Sequence, residues 1–123
     1  VTPFTAAELD QYVPAPVRGF VGQPGNLRPD SPDRKHAALY WIDYGAATPP
    51  KRRSVLLYLK ASVTGDEDDD IRNYVATHGE FPHEATGDQI FDEAQWESYR
   101  KLGQHMAGPL LADKSWFWAI PLA

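Results

Sequence analysis

The chain of 123 residues contains no cysteine. Disulfides, thiolate metal sites and thiol catalysis are thereby excluded, while the compartment stays open. No apolar run approaches the roughly 20 residues a membrane-spanning helix needs, and the opening residues carry no signal-peptide pattern. Long basic runs are also missing. The formal charge is −5, and the one basic cluster, Lys51-Arg52-Arg53, follows Pro49-Pro50 and reads as a solvated turn. Phosphate backbones are gripped by clustered Lys and Arg, so nucleic acid is not an expected partner. Catalytic signatures are absent in the same way. No serine stands in a Gly-x-Ser-x-Gly elbow, no Asp precedes a Gly, and no phosphate loop or dinucleotide fingerprint occurs. The His-x-x-x-His spacing of a zinc helix is missing too. The sequence implies no cofactor and no metal ligand set.

What is present fits one small domain. Most of the 11 Pro precede Lys51, so residues 1–36 are expected as an extended Pro/Gly-rich arm lying on a surface. Within it Thr5 and Glu8 have the spacing of a capping box for a short helix ending before Pro14. Residues 37–108 are expected to hold a β-hairpin and two helices. Ala37–Tyr44 and Ser54–Ala61 read as strands joined across residues 45–53, pairing antiparallel. The second strand is apolar on both faces, as strands covered on both sides are. A lone hairpin is marginal in water, so further sheet is expected from outside the chain. Ile71, Tyr74, Val75 and His78 have helical spacing up to Gly79. Ile90, Phe91, Ala94, Tyr99, Leu102 and Met106 mark one face of a helix from about Asp88 to Met106, ended by Gly108-Pro109. Residues 109–123 form an apolar aromatic tail that folds back on the core or seeks a partner. That tail, and a first residue that is Val rather than Met, lead us to expect a missing remainder.

Two polar stretches invite a chemical reading. Asp66-Glu67-Asp68-Asp69-Asp70 offers either a divalent-cation site or carboxylates complementing a helix N-terminus. The alternation and glycine of a calcium loop are absent, which favours the helix reading. The loop before the last long helix packs His83, Glu84, Thr86, Asp88 and Gln89 together, with Tyr99 and Arg100 one turn into the helix. A His held by a carboxylate could act as general base, or as metal ligand with Glu84 and Asp88 in a small metal-dependent hydrolase. The competing reading is a structural tie: Thr86 or Asp88 caps the helix, His83 bonds a carbonyl, and Arg100 pairs with a carboxylate. With no nucleophile nearby, the tie is favoured.

Four blocks in order carry a resemblance: Leu57-Tyr58-Leu59-Lys60-Ala61-Ser62-Val63-Thr64-Gly65-Asp66-Glu67; Asn73-Tyr74; Phe81-Pro82-His83-Glu84-Ala85-Thr86-Gly87-Asp88-Gln89; and Phe91-Asp92-Glu93-Ala94-Gln95-Trp96-Glu97-Ser98-Tyr99-Arg100-Lys101-Leu102-Gly103. Over about residues 55–103 they resemble the C-terminal region of large bacterial patatin-like phospholipases. That region is similar to a strand ending Lys-Pro-Ser-Leu-Thr-Gly-Asp-Glu, then Asn-Tyr, Phe-Pro-His-x-Ser-Thr-Ala-Asp-Gln and Phe-Glu-Ser-Tyr-Arg. Ala61 stands for Pro, Ala85 and Gly87 for Ser and Ala, and Trp96 for Phe. The resemblance implies an α+β piece of an α/β hydrolase-like fold whose Ser–Asp dyad sits in motifs this chain lacks, so no catalytic residue carries over. The expectation is a non-catalytic C-terminal part or subunit of a lipid acyl hydrolase, completing the sheet and shaping the acyl site. Its partners are then the catalytic remainder, on the same or a separate polypeptide, and through it a lipid substrate. Membrane contact belongs to that remainder, and the segment itself reads as soluble. The alternative is a stand-alone binding or regulatory module, docked through the Pro-rich arm and the aromatic tail.

Overall fold

A computed structural model describes residues 1–45 and 53–122. The turn expected between the hairpin strands lies outside the described residues except for its ends. β3 (Ala37–Asp43) and β4 (Arg53–Leu59) pair antiparallel, from Ala37 opposite Leu59 to Asp43 opposite Arg53. Their branched and aromatic residues suit a pleated, half-buried surface. Two very short strands share the other edge of β3. β1 (Thr2–Pro3) runs antiparallel beside Trp41 and Tyr40, and β2 (Val21–Gly22) runs parallel beside Ala37 and Ala38. The chain is a small α+β domain built on a four-stranded mixed sheet with β3 at its centre.

Residues 1–36, expected as an extended arm, fold back on β3 instead. Helix α1 (Ala6–Tyr12) starts with the Thr5–Glu8 capping box, in which each side chain accepts from the other's backbone N–H. Helix α2 (Ala15–Arg18) follows the Pro14 stop, and a 3-10 turn spans Pro24–Leu27. Each piece contributes an anchor: Phe4, Val13, Val17, Val21 and Leu27 are all buried. Burying such side chains contributes about 1.5–3 kcal/mol apiece, enough to draw a Pro-rich segment onto its own core. Phe4 stacks on Trp41 with centroids 4.4 Å apart. The Trp41 indole N–H donates to Glu8 Oε1 at 3.0 Å, and the Arg53 guanidinium covers the same ring at 3.8 Å. Gly22 is required by close approach, since a Cβ there would lie 2.7 Å from both Asn26 Oδ1 and Lys35 Cγ.

Helix α3 (Asp69–Thr77) carries Ile71 into a second core with Phe81, Leu102 and Met106. Helix α4 (Glu93–Ala112) differs from its expected span at both ends. Its start is Asp92, whose carboxylate accepts from Gln95 N–H at 2.7 Å, so Ile90 and Phe91 lie ahead of the helix and exposed. The buried stripe is Gln95, Ser98, Leu102, Met106 and Leu110. Pro109 does not end the helix. Interior proline costs about 3 kcal/mol, which the burial of Leu110 in the first core helps to offset. Helix α4 therefore joins both cores. A final turn, α5 (Ser115–Trp118), folds the tail back: Ile120 is buried, Trp116 and Phe117 pack on the first core, and Trp118 stays exposed.

The two faces of the hairpin differ. Ala37, Leu39 and Trp41, with Leu57 and Val55 opposite, form the inner face within the first core. The outer face carries Tyr40, Ile42, Leu56 and Tyr58; Leu56 is 39% and Tyr58 46% exposed. The burial on both sides expected for β4 is not found. Its apolar outer residues face solvent, and among the described residues no strand pairs with its outer edge.

Candidate functional site

The polar side chains converge at the middle of α4, between the two cores. His36 precedes β3, Asp66 and Glu67 follow β4, and His105 comes from α4. The ligating atoms of these four lie within 4.8 Å of one another. His36 is fully buried, and Glu67 nearly so. The Phe20 ring walls off both imidazoles, at 5.5 Å from His36 and 5.9 Å from His105. Asp66 is 51% exposed and opens the cluster to solvent.

The loop that presents the carboxylates is held by its own backbone. Glu67 accepts from the N–H groups of Thr64 at 2.6 Å and Gly65 at 2.8 Å. Gly65 has φ of 102°, a conformation that only glycine adopts at little cost. Ser62 Oγ lies within hydrogen-bonding reach of the Lys35 and Lys60 carbonyls, and its one proton goes to them. It therefore accepts from His36 Nδ1–H at 3.1 Å. This tautomer leaves a lone pair on His36 Nε2, 3.6 Å from Asp66 Oδ1. The Thr64 hydroxyl proton goes to Asp66 at 2.6 Å rather than to His36 at 3.3 Å. Asp66 also accepts from His105 Nε2 at 3.0 Å. Burial pushes the His36 pKa down, against the pull of the Asp66 and Glu67 charges. Burial raises the Asp66 carboxyl, but hydrogen bonds from Thr64 and His105 outweigh it, leaving a net lowering.

The acidic run thus divides between its two readings. Asp66 and Glu67 join the histidines. Asp68 sits at the N-cap position of α3, and Asp69 and Asp70 occupy its first turn. No local pattern signals the partnership, because neither histidine has a ligand-spaced neighbour in the chain.

The loop residues singled out from the sequence are placed differently. Tyr99 donates its hydroxyl proton to Glu84, and burial followed by that carboxylate pushes its pKa up. Gln95 Nε2 donates to Asp88 at 2.8 Å. Phe81 is buried against Tyr74 and Tyr99, so the loop is tied to both helices. Neither Thr86 nor Asp88 caps the helix; Asp92 does, because it is the residue next to the first helical turn. Thr86 and Gln89 are exposed. Arg100 pairs with Glu97 of its own helix at 2.7 Å. His83 is exposed at the surface, and its backbone N–H donates to the Glu80 carbonyl. Partial desolvation lowers its pKa, and Lys60 adds to that. Among the described residues His83, Glu84 and Asp88 do not come together as a ligand set. The groove beside them is lined by Tyr74, His78 and Phe81 together with Glu84, Asp88 and Asp92, whose carboxylates repel an anionic head group. Braced in this way, the loop has no pairing of nucleophile and base.

An apolar groove of about 260 Å³ runs between α4 and the tail, lined by Leu57, Leu110, Leu111, Trp116, Phe117 and Trp118 beside Lys114. Comparison with family models, curated proteins and solved structures finds no match to the chain.

Proposed function

We propose that this chain is the non-catalytic C-terminal part or subunit of a patatin-like lipid acyl hydrolase, completing its sheet. The observation that supports the reading is β4: an edge strand whose outer edge pairs with no strand among the described residues and whose outer face leaves Leu56 and Tyr58 exposed. Natural edge strands are usually short, charged or covered, because bare backbone donors and acceptors recruit another strand. The four-block resemblance over residues 55–103 names the occupant as the catalytic remainder. That remainder supplies the Ser nucleophile and its Asp. Serine attack on a lipid ester gives an acyl-enzyme that water releases.

In this reading the hairpin adds strands beside the catalytic sheet, and the loop at 81–89 braces the α3–α4 pair behind it. The groove that includes Leu57 lies on the opposite, inner face of the same strand. The alternative, a binding module docked through arm and tail, has less support. The arm is occupied by its own core, and of the tail's aromatic residues only Trp118 is left largely exposed.

The test is to isolate the native assembly through a tag on this chain and treat it with a fluorophosphonate. A labelled serine within Gly-x-Ser-x-Gly, on the same or an associated polypeptide, together with lipid ester hydrolysis, is the expected result. The chain alone should be inert on the same esters. A native species consisting of this chain only, without a labelled serine, contradicts the proposal.

A further inference from the structure

We propose that His36, Asp66, Glu67 and His105 form a binding site for a divalent transition-metal ion of the zinc class. Two imidazoles with two carboxylates are the donors such ions select, whereas Ca²⁺ and Mg²⁺ prefer oxygen alone. A tetrahedral ion with bonds of about 2.0–2.1 Å holds its ligand atoms about 3.3–3.4 Å apart. The separations from Asp66 Oδ1, 3.6 Å to His36 Nε2 and 3.0 Å to His105 Nε2, bracket that value, and the ion would take the place of the proton that His105 Nε2 shares with Asp66, His105 then carrying its proton on Nδ1.

A second observation points to a bound cation. His36 is fully buried, its Nδ1 proton is committed to Ser62, and its Nε2 lone pair is aimed at a carboxylate oxygen. A cation placed between these two electron-rich atoms would relieve their repulsion. Ser62 fixes the tautomer that leaves Nε2 free, the role that outer hydrogen-bond partners play for ligating histidines. The Thr64 and Gly65 N–H groups orient Glu67 in the same manner, leaving each of its oxygens a further lone pair. Asp66, half exposed, provides the entry path. A bound ion would fasten the 62–67 loop to α4, at the point where the two cores meet.

The experiment uses the full chain, stripped with EDTA and titrated with Zn²⁺ and Co²⁺ by calorimetry and visible absorption. Expected are one ion per chain, the d–d bands of tetrahedral Co²⁺, a raised melting temperature with Zn²⁺, and Mg²⁺ and Ca²⁺ affinities at least about a hundredfold weaker. His105→Ala and Asp66→Asn should each weaken Zn²⁺ binding by about a hundredfold or more, and Ser62→Ala by about ten- to a hundredfold. His78→Ala, on the exposed end of α3, should change nothing. His105→Ala acts on a partly exposed side chain and keeps the test valid should replacement of buried His36 unfold the chain. A chain that loses structure on EDTA treatment and regains it with Zn²⁺ also supports the site. A folded chain that takes up no stoichiometric Zn²⁺ overturns it and leaves an ion-pair cluster only. Binding that survives both His105→Ala and Asp66→Asn overturns it equally.

Discussion

The inner and outer faces of one hairpin have similar residues and different cover. Leu39 and Trp41 are buried and Val55 and Leu57 pack partly buried against the same core, whereas on the outer face Leu56 and Tyr58 are exposed and, among the described residues, no core cluster covers them. The inner set stabilises the isolated fold. The outer set contributes little until another surface covers it, and this difference makes it the place to look for a partner. Scattered exposed apolar residues are common on soluble proteins, but here they coincide with a strand edge that is unpaired among the described residues.

Mutation can break or sharpen this contrast. The largest effect is expected from Leu39→Ala, which should cost about 2–5 kcal/mol in urea denaturation of the chain. Tyr58→Glu should leave the isolated chain within about 1 kcal/mol of the original. In the assembly it should weaken association by about 2 kcal/mol or more, as a buried aromatic anchor would. The N-terminal cover can be loosened at its cap: Thr5→Ala should cost about 1 kcal/mol by the same denaturation. Acid acts on the same contact. The Glu8 carboxyl sits below its ordinary 4.5, mainly through the Thr5 backbone N–H and, less strongly, the Trp41 indole. Its contribution is therefore full above that value and is lost as pH falls through the lowered folded pKa. Glu8→Gln should flatten this part of the stability–pH curve measured by denaturation. The smallest effect is expected at the outer face of the lone chain, where Leu56→Ala should change stability by no more than about 0.5 kcal/mol.

Local signals in the sequence were enough to locate some elements and not others. The β3–β4 pairing, the Thr5–Glu8 box and the core of α3 follow from patterns confined to a few neighbouring residues. The start of α4 is not legible locally, because Ile90 and Phe91 extend the apolar period while Asp92 sets the cap. Its passage through Pro109 depends on the buried neighbours of Leu110, which no local window contains. The same holds for residues 1–36. Proline marks where their short helices stop, but only the tertiary fit of Phe4, Val17 and Val21 shows that the segment covers β3. The candidate site was the least legible. His36, the 66–67 pair and His105 are distant in sequence and meet only where β3, the loop after β4 and α4 converge. The loop at 81–89 is conspicuous for its composition, yet it is Phe81, Glu84 and Asp88 of this loop that tie it to the helices, while His83, Thr86 and Gln89 stay exposed.

The most direct test of the central claim is photo-cross-linking from the outer face, with Tyr58→benzoylphenylalanine in the cells that make the protein. The expected product joins position 58 to polypeptide bearing the fluorophosphonate-reactive serine, within one chain or between two. Position 58 left uncross-linked, while the protein is folded and present at its normal level, would contradict the account.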